Sequence, residues 1–104
     1  MEENVEYSDE LIELTTPGEV LKEDFLDAMG LTAYGLSKSI GVEPMRISRI
    51  IKGTRKITAD TAIRLSRYFG TSAEYWINLQ SLYDLDVAME KNNEEYKKIH
   101  PKAS

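Results

Sequence analysis

The sequence lacks the residue types on which several classes of protein chemistry depend. Its 104 residues include no cysteine and a single histidine, His100, so disulfides, thiolate metal ligands and histidine-paired catalysis have no basis here. Asp84 and Asp86 flank one leucine, but no nucleophile or base accompanies them, and the glycines form no phosphate-binding loop. We therefore expect a protein that is not an enzyme and that uses no metal, cofactor or small-molecule substrate.

Long apolar segments are also missing. No run approaches the ~20 apolar residues that a helix needs to cross a bilayer. The N-terminal MEENVEYSDE has no apolar centre of the kind found in signal peptides. We expect a cytoplasmic protein with no membrane partner, and the length of 104 residues suits one domain with a modest core.

Acidic and basic side chains are segregated along the chain, although the net charge is −5. Residues 1–31 carry ten acids and one base, residues 32–70 carry two acids and eight bases, and residues 71–104 carry six acids and four bases. Exposed charges more than about 10 Å apart are largely screened at physiological salt, so phosphates respond to the local field. The basic middle segment is therefore the expected electrostatic footprint of a nucleic acid.

The segment from Leu31 to Thr54, LTAYGLSKSIGVEPMRISRIIKGT, predicts two short helices around a tight turn. Thr32 can cap the first helix, Gly41 can end it in the left-handed conformation, and Pro44 suits the first turn of the second. Ser37 supplies the small residue needed where the two helices touch. This spacing is typical of a helix-turn-helix.

Any pair of amphipathic helices joined at a glycine would share this pattern, so the exposed side of the second helix decides the interpretation. A solvated helix face usually mixes charges of both signs. This one carries Arg46, Arg49 and Lys52 with no acid after Glu43. The basic side favours DNA binding.

Further helix starts and stops surround this pair. Thr16 to Glu19 reads as a capping box that opens a first helix ending near Met29. A fourth helix is expected from Thr58 to Phe69, and a second capping box from Thr71 to Glu74 opens a fifth. No stretch alternates like a strand, so we expect an all-α, five-helix fold without β-sheet. Residues 16–89 would form the domain, residues 1–15 a flexible acidic arm, and residues 90–104 a polar tail.

The fifth helix carries an apolar stripe with two interpretations. It can pack on the first and fourth helices, or it can pair two copies of the chain. We favour a homodimer, because two reading helices placed about 34–36 Å apart contact successive half-sites. The residues concerned are Tyr75, Trp76, Leu79, Leu82 and Tyr83.

The acidic arm is equally open to two interpretations. It can be a solvated segment, or it can dock a basic partner protein and fold on binding. In the second case Leu11, Ile12 and Leu14 would be the apolar anchors.

Three stretches, TPGEVLKEDFL, ISRIIKGTRKITADTAIRLSRYFGTSAEYWINLQ and the following YDL, resemble a known family. From about Thr16 to Leu85 the chain resembles HigA-type (VapI-type) antitoxins of bacterial toxin–antitoxin modules. These belong to the Cro/C1/Xre, lambda-repressor-like class of helix-turn-helix proteins. The resemblance implies a dimer that binds double-stranded operator DNA, represses its own operon and neutralises a RelE-like, HigB-type mRNA-cleaving ribonuclease toxin by direct binding.

The same resemblance implies roles for individual residues. Bases in the major groove would be read by Met45, Arg46, Ser48 and Arg49. Phosphates would be contacted by Thr32, Tyr34, Lys52, Arg55, Lys56 and Thr58. Ala33 stands where many repressors carry glutamine, so the DNA contact of that glutamine is not carried over to this chain. The toxin contact cannot be carried over, because the arm with Leu11, Ile12 and Leu14 precedes the shared motif.

Two other functions remain open at this stage. The chain could be a stand-alone Xre-family transcriptional regulator without a toxin partner. It could also be a protein-interaction domain that no longer binds DNA, although the basic helix side argues against this.

Overall fold

The computed structural model of the chain describes residues 15–103, and this part is built from helices without any strand. The arm with the predicted toxin anchors Leu11, Ile12 and Leu14 lies outside the described residues. The five-helix, all-α expectation is confirmed. The helices are α1, which opens at Pro17–Glu19 and continues through Val20–Asp27, α2 at Ala33–Ile40, α3 at Pro44–Lys52, α4 at Ala59–Phe69 and α5 at Ala73–Tyr96. None of these helices is long and apolar enough to cross a membrane.

Helix α1 begins as predicted and then widens. Thr16 and Glu19 form the reciprocal capping box, with hydrogen bonds of 3.1 and 3.0 Å. From Val20 to Asp27 the backbone takes π-helical hydrogen bonding, which places residues five apart on one face. The fully buried pair is consequently Leu21 and Leu26, and Phe25 is half-buried.

The pair α2 and α3 forms the centre of the core. Ile40 from α2 packs with Ile47 and Ile50 from α3, and the last two are almost completely buried. Burial of such a side chain contributes about 1.5–3 kcal/mol relative to exposure. Ser37 is fully buried at the helix contact, as expected, and its hydroxyl donates to the Tyr34 carbonyl at 2.6 Å.

Two helix ends set the angle at which α3 is presented. Gly41 after α2 and Gly53 after α3 have φ values of +72° and +84°, a region where side chains other than glycine are strained. In each case the next residue donates back to the preceding turn, Val42 to Ser37 and Thr54 to Arg49. These bonds satisfy carbonyls that the helix end leaves free.

Helix α4 and the first turns of α5 close the core around one tryptophan. Trp76 is fully buried and its ring packs 4.9 Å from Phe25 and 6.1 Å from Phe69, measured between centroids. Its Nε1–H donates to the Thr71 hydroxyl at 2.7 Å. Thr71 is therefore not the cap of α5. Ser72 caps the helix instead, accepting from the Tyr75 amide.

Helix α5 is longer than we expected. Residues 90–96, assigned to the polar tail, continue the helix to Tyr96 past a local irregularity at Asn92. The prediction relied on apolar periodicity, which reports burial and not helicity. This segment is exposed, and residues such as glutamate and lysine favour a helix without any packing.

Candidate nucleic-acid interface

The exposed side of α3 presents the residues expected to face DNA. Burial of Ile47 and Ile50 against the core leaves Met45, Arg49 and Lys52 pointing outwards along one side of the helix. Met45 is 55% exposed, and neither Arg49 nor Lys52 forms an ion pair with any other residue in the range 15–103. Ser48 is half-buried beside them. The exposed side of α3 thus carries the Arg49 guanidinium, the flexible apolar side chain of Met45 and the Lys52 ammonium group.

Arg46 is placed differently from Arg49. Its Nη1 donates to an Asp60 carboxylate oxygen at 2.7 Å and to the Thr61 hydroxyl at 3.3 Å, and only 25% of its side chain is exposed. The resemblance assigned a base-reading role to this arginine, which stays a prediction, and here the side chain is bound to α4. In this arrangement Arg46 connects α3 to α4.

Asp60 receives a second arginine. Arg64 donates through Nε to the same Asp60 oxygen at 2.9 Å, and its Nη1 donates to the Ile40 carbonyl at 2.7 Å. These interactions connect the end of α2, the start of α3 and the first turns of α4. Hydrogen bonds from Arg46 and Arg64 favour the ionised carboxylate, so the pKa of Asp60 lies below its usual value.

The loop after α3 carries two more bases and is fixed to α5. Arg55 is exposed and Lys56 forms an ion pair with Asp84 at 3.0 Å. Ile57 anchors the loop, because its side chain is buried and its amide donates to the Gln80 Oε1 at 2.8 Å. Gln80 in turn donates to Asp84 at 3.1 Å.

Sequence reasoning missed the roles of Gln80 and Asp84. It also treated Asp84 as lacking a basic partner, which was wrong, because Lys56 reaches it from the loop. One signal was available. Gln80 lies four residues after Trp76, on the side of α5 that faces the core, where an unpaired amide would be costly.

Two helix starts complete the set of expected phosphate contacts. The Thr32 hydroxyl accepts from the Gly35 amide at 2.9 Å, and Thr58 precedes α4 without a side-chain cap bond. Tyr34 is 61% exposed, and Lys38 lies 5.5 Å from the centre of its ring. Free amides at helix starts attract anions, so these positions suit phosphate oxygens.

The residues expected at a dimer interface separate into two sets. Trp76 is buried inside the chain, so its assignment to the interface was wrong, and Leu79 and Tyr83 are half-buried. Only Tyr75 and Leu82 of the predicted set are exposed. Four of the exposed apolar residues along α5 form a different stripe, which we call the α5 stripe: Tyr75, Leu82, Leu85 and Met89.

A cleft of about 260 Å³ lies between the start of α1, the loop after α3 and the middle of α5. Thr16 stands at one wall, Arg55 and Lys56 at another, and the half-buried Tyr83 and Val87 line the third. The described residues contain no group of three or more acidic or histidine side chains that could hold a metal ion. The cleft offers apolar surface beside the exposed Arg55 and beside Lys56, which pairs with Asp84 in the same lining.

Comparison with known proteins agrees with this geometry. Residues 21–76, just over half of the chain, match the helix-turn-helix family. Virulence-associated protein I of Dichelobacter nodosus is 53% identical over 72 residues, covering 69% of this chain and 67% of that protein. Antitoxin HigA-1 of Vibrio cholerae is 37% identical over 84 residues, covering 81% and 79%.

A solved structure of the Pseudomonas aeruginosa antitoxin HigA with the higBA promoter superimposes with a TM-score of 0.83. It shares 37% identity, and the match covers 88% of this chain and all of that one. The fold and the basic side of α3 define a helix-turn-helix protein. The chain belongs to this family and, within it, to the group of HigA- and VapI-type antitoxins.

Proposed function

We propose that this protein is an antitoxin that represses its own toxin–antitoxin operon by binding operator DNA as a homodimer in the cytoplasm. The observation that carries the proposal is the outer side of α3, where Met45, Arg49 and Lys52 are exposed and Arg49 and Lys52 have no ion-pair partner within residues 15–103. The relative solved with promoter DNA has the same fold.

Base recognition would rest mainly on Arg49. A guanidinium that is free of internal partners can donate two parallel hydrogen bonds to guanine, worth about 1–3 kcal/mol of discrimination. Met45 can contact a thymine methyl group, and Ser48 can bond to either kind of base pair. Arg46 keeps its ion pair with Asp60 and acts as a positioning residue that holds α3 against α4.

Phosphate contacts would set the register of the protein on the duplex without reading sequence. Lys52 at the end of α3, together with Arg55 and Lys56 in the following loop, would supply the positive charge. The amides behind Thr32 and Thr58, together with the Tyr34 hydroxyl, supply neutral donors at two helix starts.

Dimerisation would use the α5 stripe. Tyr75, Leu82 and Met89 follow one another at intervals of seven residues, and Leu85 lies between the last two. A seven-residue apolar repeat keeps one face of a helix directed at a partner helix. Two copies of α5 packed along this stripe would remove its four large apolar side chains from water.

Neutralisation of a HigB-type ribonuclease toxin by direct binding is the remaining part of the proposal. It is supported by the similarity to the antitoxin HigA-1 and by the ten acids in residues 1–31, which suit a basic ribonuclease. The test is to co-express the chain with any short open reading frame for a basic protein that is found beside its gene. If the two proteins copurify and this chain restores the growth of cells that express the neighbouring protein, the antitoxin function is supported. If both fail, the chain is a stand-alone regulator.

The DNA-binding part is tested by fluorescence anisotropy with the duplex just upstream of the gene and with a scrambled duplex, at two salt concentrations. We expect tighter binding to the upstream duplex, and affinity that falls with salt according to the number of phosphate contacts. Equal binding to both duplexes would refute sequence-specific repression.

A further inference from the structure

The cleft beside the basic loop lies close to the point where the N-terminal segment joins the domain. Thr16 lines the cleft together with Arg55 and Lys56, and residues 1–14 precede it by one residue. Pro17 and Gly18 are both buried, so this junction is fixed to the domain. The described part of the chain therefore begins beside the cleft, and residues 1–14 precede that point.

We propose that residues 1–14 bind intramolecularly over this cleft and the adjoining loop, and that they compete there with the DNA backbone. The proposal rests on the DNA-binding function proposed above for its consequence, but not for the contact itself. Covalent attachment next to the cleft gives the segment a high effective concentration at this surface.

Charge complementarity supports this occupant. Residues 1–14 contain six acids and no base: Glu2, Glu3, Glu6, Asp9, Glu10 and Glu13. Lys56 at the cleft is paired with Asp84, which also lines it, but Arg55 has no ion-pair partner within residues 15–103, and Arg49 and Lys52 on α3 are likewise unpaired there. An acidic peptide presents to these cations the same sign of charge as a phosphate backbone.

The apolar residues of the segment match the rest of the cleft. Leu11, Ile12 and Leu14 lie close to the junction, and the cleft provides the half-buried Tyr83 and Val87 on α5. A fully extended chain of 14 residues reaches at most about 46–50 Å, so the more distant acids can also reach the basic side of α3. Burial of even one leucine in the cleft would add to the charge attraction.

The consequence is weaker binding to DNA of any sequence. Operator and random duplexes both need the phosphate-contacting loop. An internal competitor for that loop therefore lowers both affinities by the same factor, which is set by the fraction of time that the loop is covered. A basic protein that takes up the segment would leave the loop free for DNA.

The contact is tested without DNA by paramagnetic relaxation. The chain contains no cysteine, so Ser8→Cys gives one attachment site for a nitroxide label. We expect selective broadening of amide signals in residues 53–56 and of Val87. The broadening should be lost when Glu6, Asp9, Glu10 and Glu13 are changed to their amides. Uniform or absent broadening would overturn the proposal.

The competition is tested by anisotropy with a random duplex at low salt, using the same four-amide variant. A segment that is seated about 90% of the time lowers affinity about tenfold, so we expect about tenfold tighter binding by the variant. The matched control changes four exposed acids elsewhere to amides: Glu23, Asp24, Glu90 and Glu94.

Both variants raise the net charge by four. A gain in affinity that only the residue 1–14 variant shows therefore reports the loss of the contact and not the change in net charge. An equal gain in both variants would overturn the proposal. Broadening in a protein that binds no duplex in any variant would support the intramolecular seat and would refute the proposed function instead.

Discussion

Gly18 lies where the first turn of α1 touches the backbone of the last turn of α3, and we expect Gly18→Ala to destabilise the protein. A Cβ at this position would come within 1.9 Å of the Ile50 carbonyl oxygen and within 2.9 Å of the Ile51 Cα. The first distance is about 1.4 Å shorter than an ordinary close C···O contact of ~3.3 Å. Both neighbours are backbone atoms, so relief requires one helix to move relative to the other.

Two effects of opposite sign act in this variant. Replacing glycine by alanine inside a helix is favourable by about 1 kcal/mol. Overpacking of a tight contact costs about 1–3 kcal/mol, and occasionally more. Because no side chain can rotate out of the way, we place the cost of this contact at the upper end of that range. The expected net loss is about 2 kcal/mol, which lowers the urea midpoint by about 1 M.

Urea unfolding followed by Trp76 fluorescence measures this loss, since this single tryptophan is fully buried. Protein concentration must be held constant, because a dimer is stabilised by mass action. Gly35→Ala is the matched control. Gly35 is exposed in α2, and its added Cβ would meet only the Thr32 hydroxyl at 3.1 Å. We expect the control to be neutral or more stable. A Gly18→Ala protein as stable as the wild type would refute the reasoning.

Four further predictions concern the DNA-facing side, the α5 stripe and Asp60. Arg49→Ala should weaken binding to the operator by about 1–3 kcal/mol and should change binding to random DNA little. Arg55→Ala should weaken binding to both duplexes equally and reduce the salt slope by about 0.9. Equal losses on both duplexes for Arg49→Ala would contradict its reading role. Leu85→Glu should shift the protein from dimer to monomer in sedimentation experiments with little loss of fold, whereas Ile63→Glu, exposed on α4, should remain dimeric. The pKa of Asp60 lies below 3.8, so its ionic contribution to stability is complete above pH 3.8 and is lost as pH falls through the lowered pKa. Asp60→Asn should therefore be less stable than wild type at neutral pH, and thermal unfolding should show the difference shrinking in acid. A difference that is constant down to the lowest pH would contradict this account.

The proposed dimer interface and the domain core draw on the same helix, which explains why the aromatic residues of α5 were difficult to assign. Trp76 and Leu85 are both large and apolar, and both suit a stripe along one helix. Trp76 packs in the core against α1 and α4, whereas Leu85 lies further along the helix and is 60% exposed. Sequence spacing alone does not distinguish an internal partner from an external one.

Local chemistry in the sequence determined where the helices begin and end. Thr16 and Thr32 cap helices through hydroxyl groups a few residues from their partners, and Gly41 and Gly53 end helices through their own backbone freedom. The amphipathic pattern likewise determined which side of α3 faces the core. These features depend on residues within one or two turns, so they can be predicted without knowledge of the fold.

Only the tertiary structure decided which basic residues are paired within the domain. Arg46 and Arg49 are indistinguishable as exposed positions on α3, but Arg46 meets Asp60, fourteen residues further along the chain. The loop after α3 is fixed by a bond from Ile57 to Gln80 across twenty-three residues, and Lys56 is held by Asp84 on the same helix. Partners this distant are brought together by the packing of α4 and α5 against α3. No short-range pattern encodes that packing.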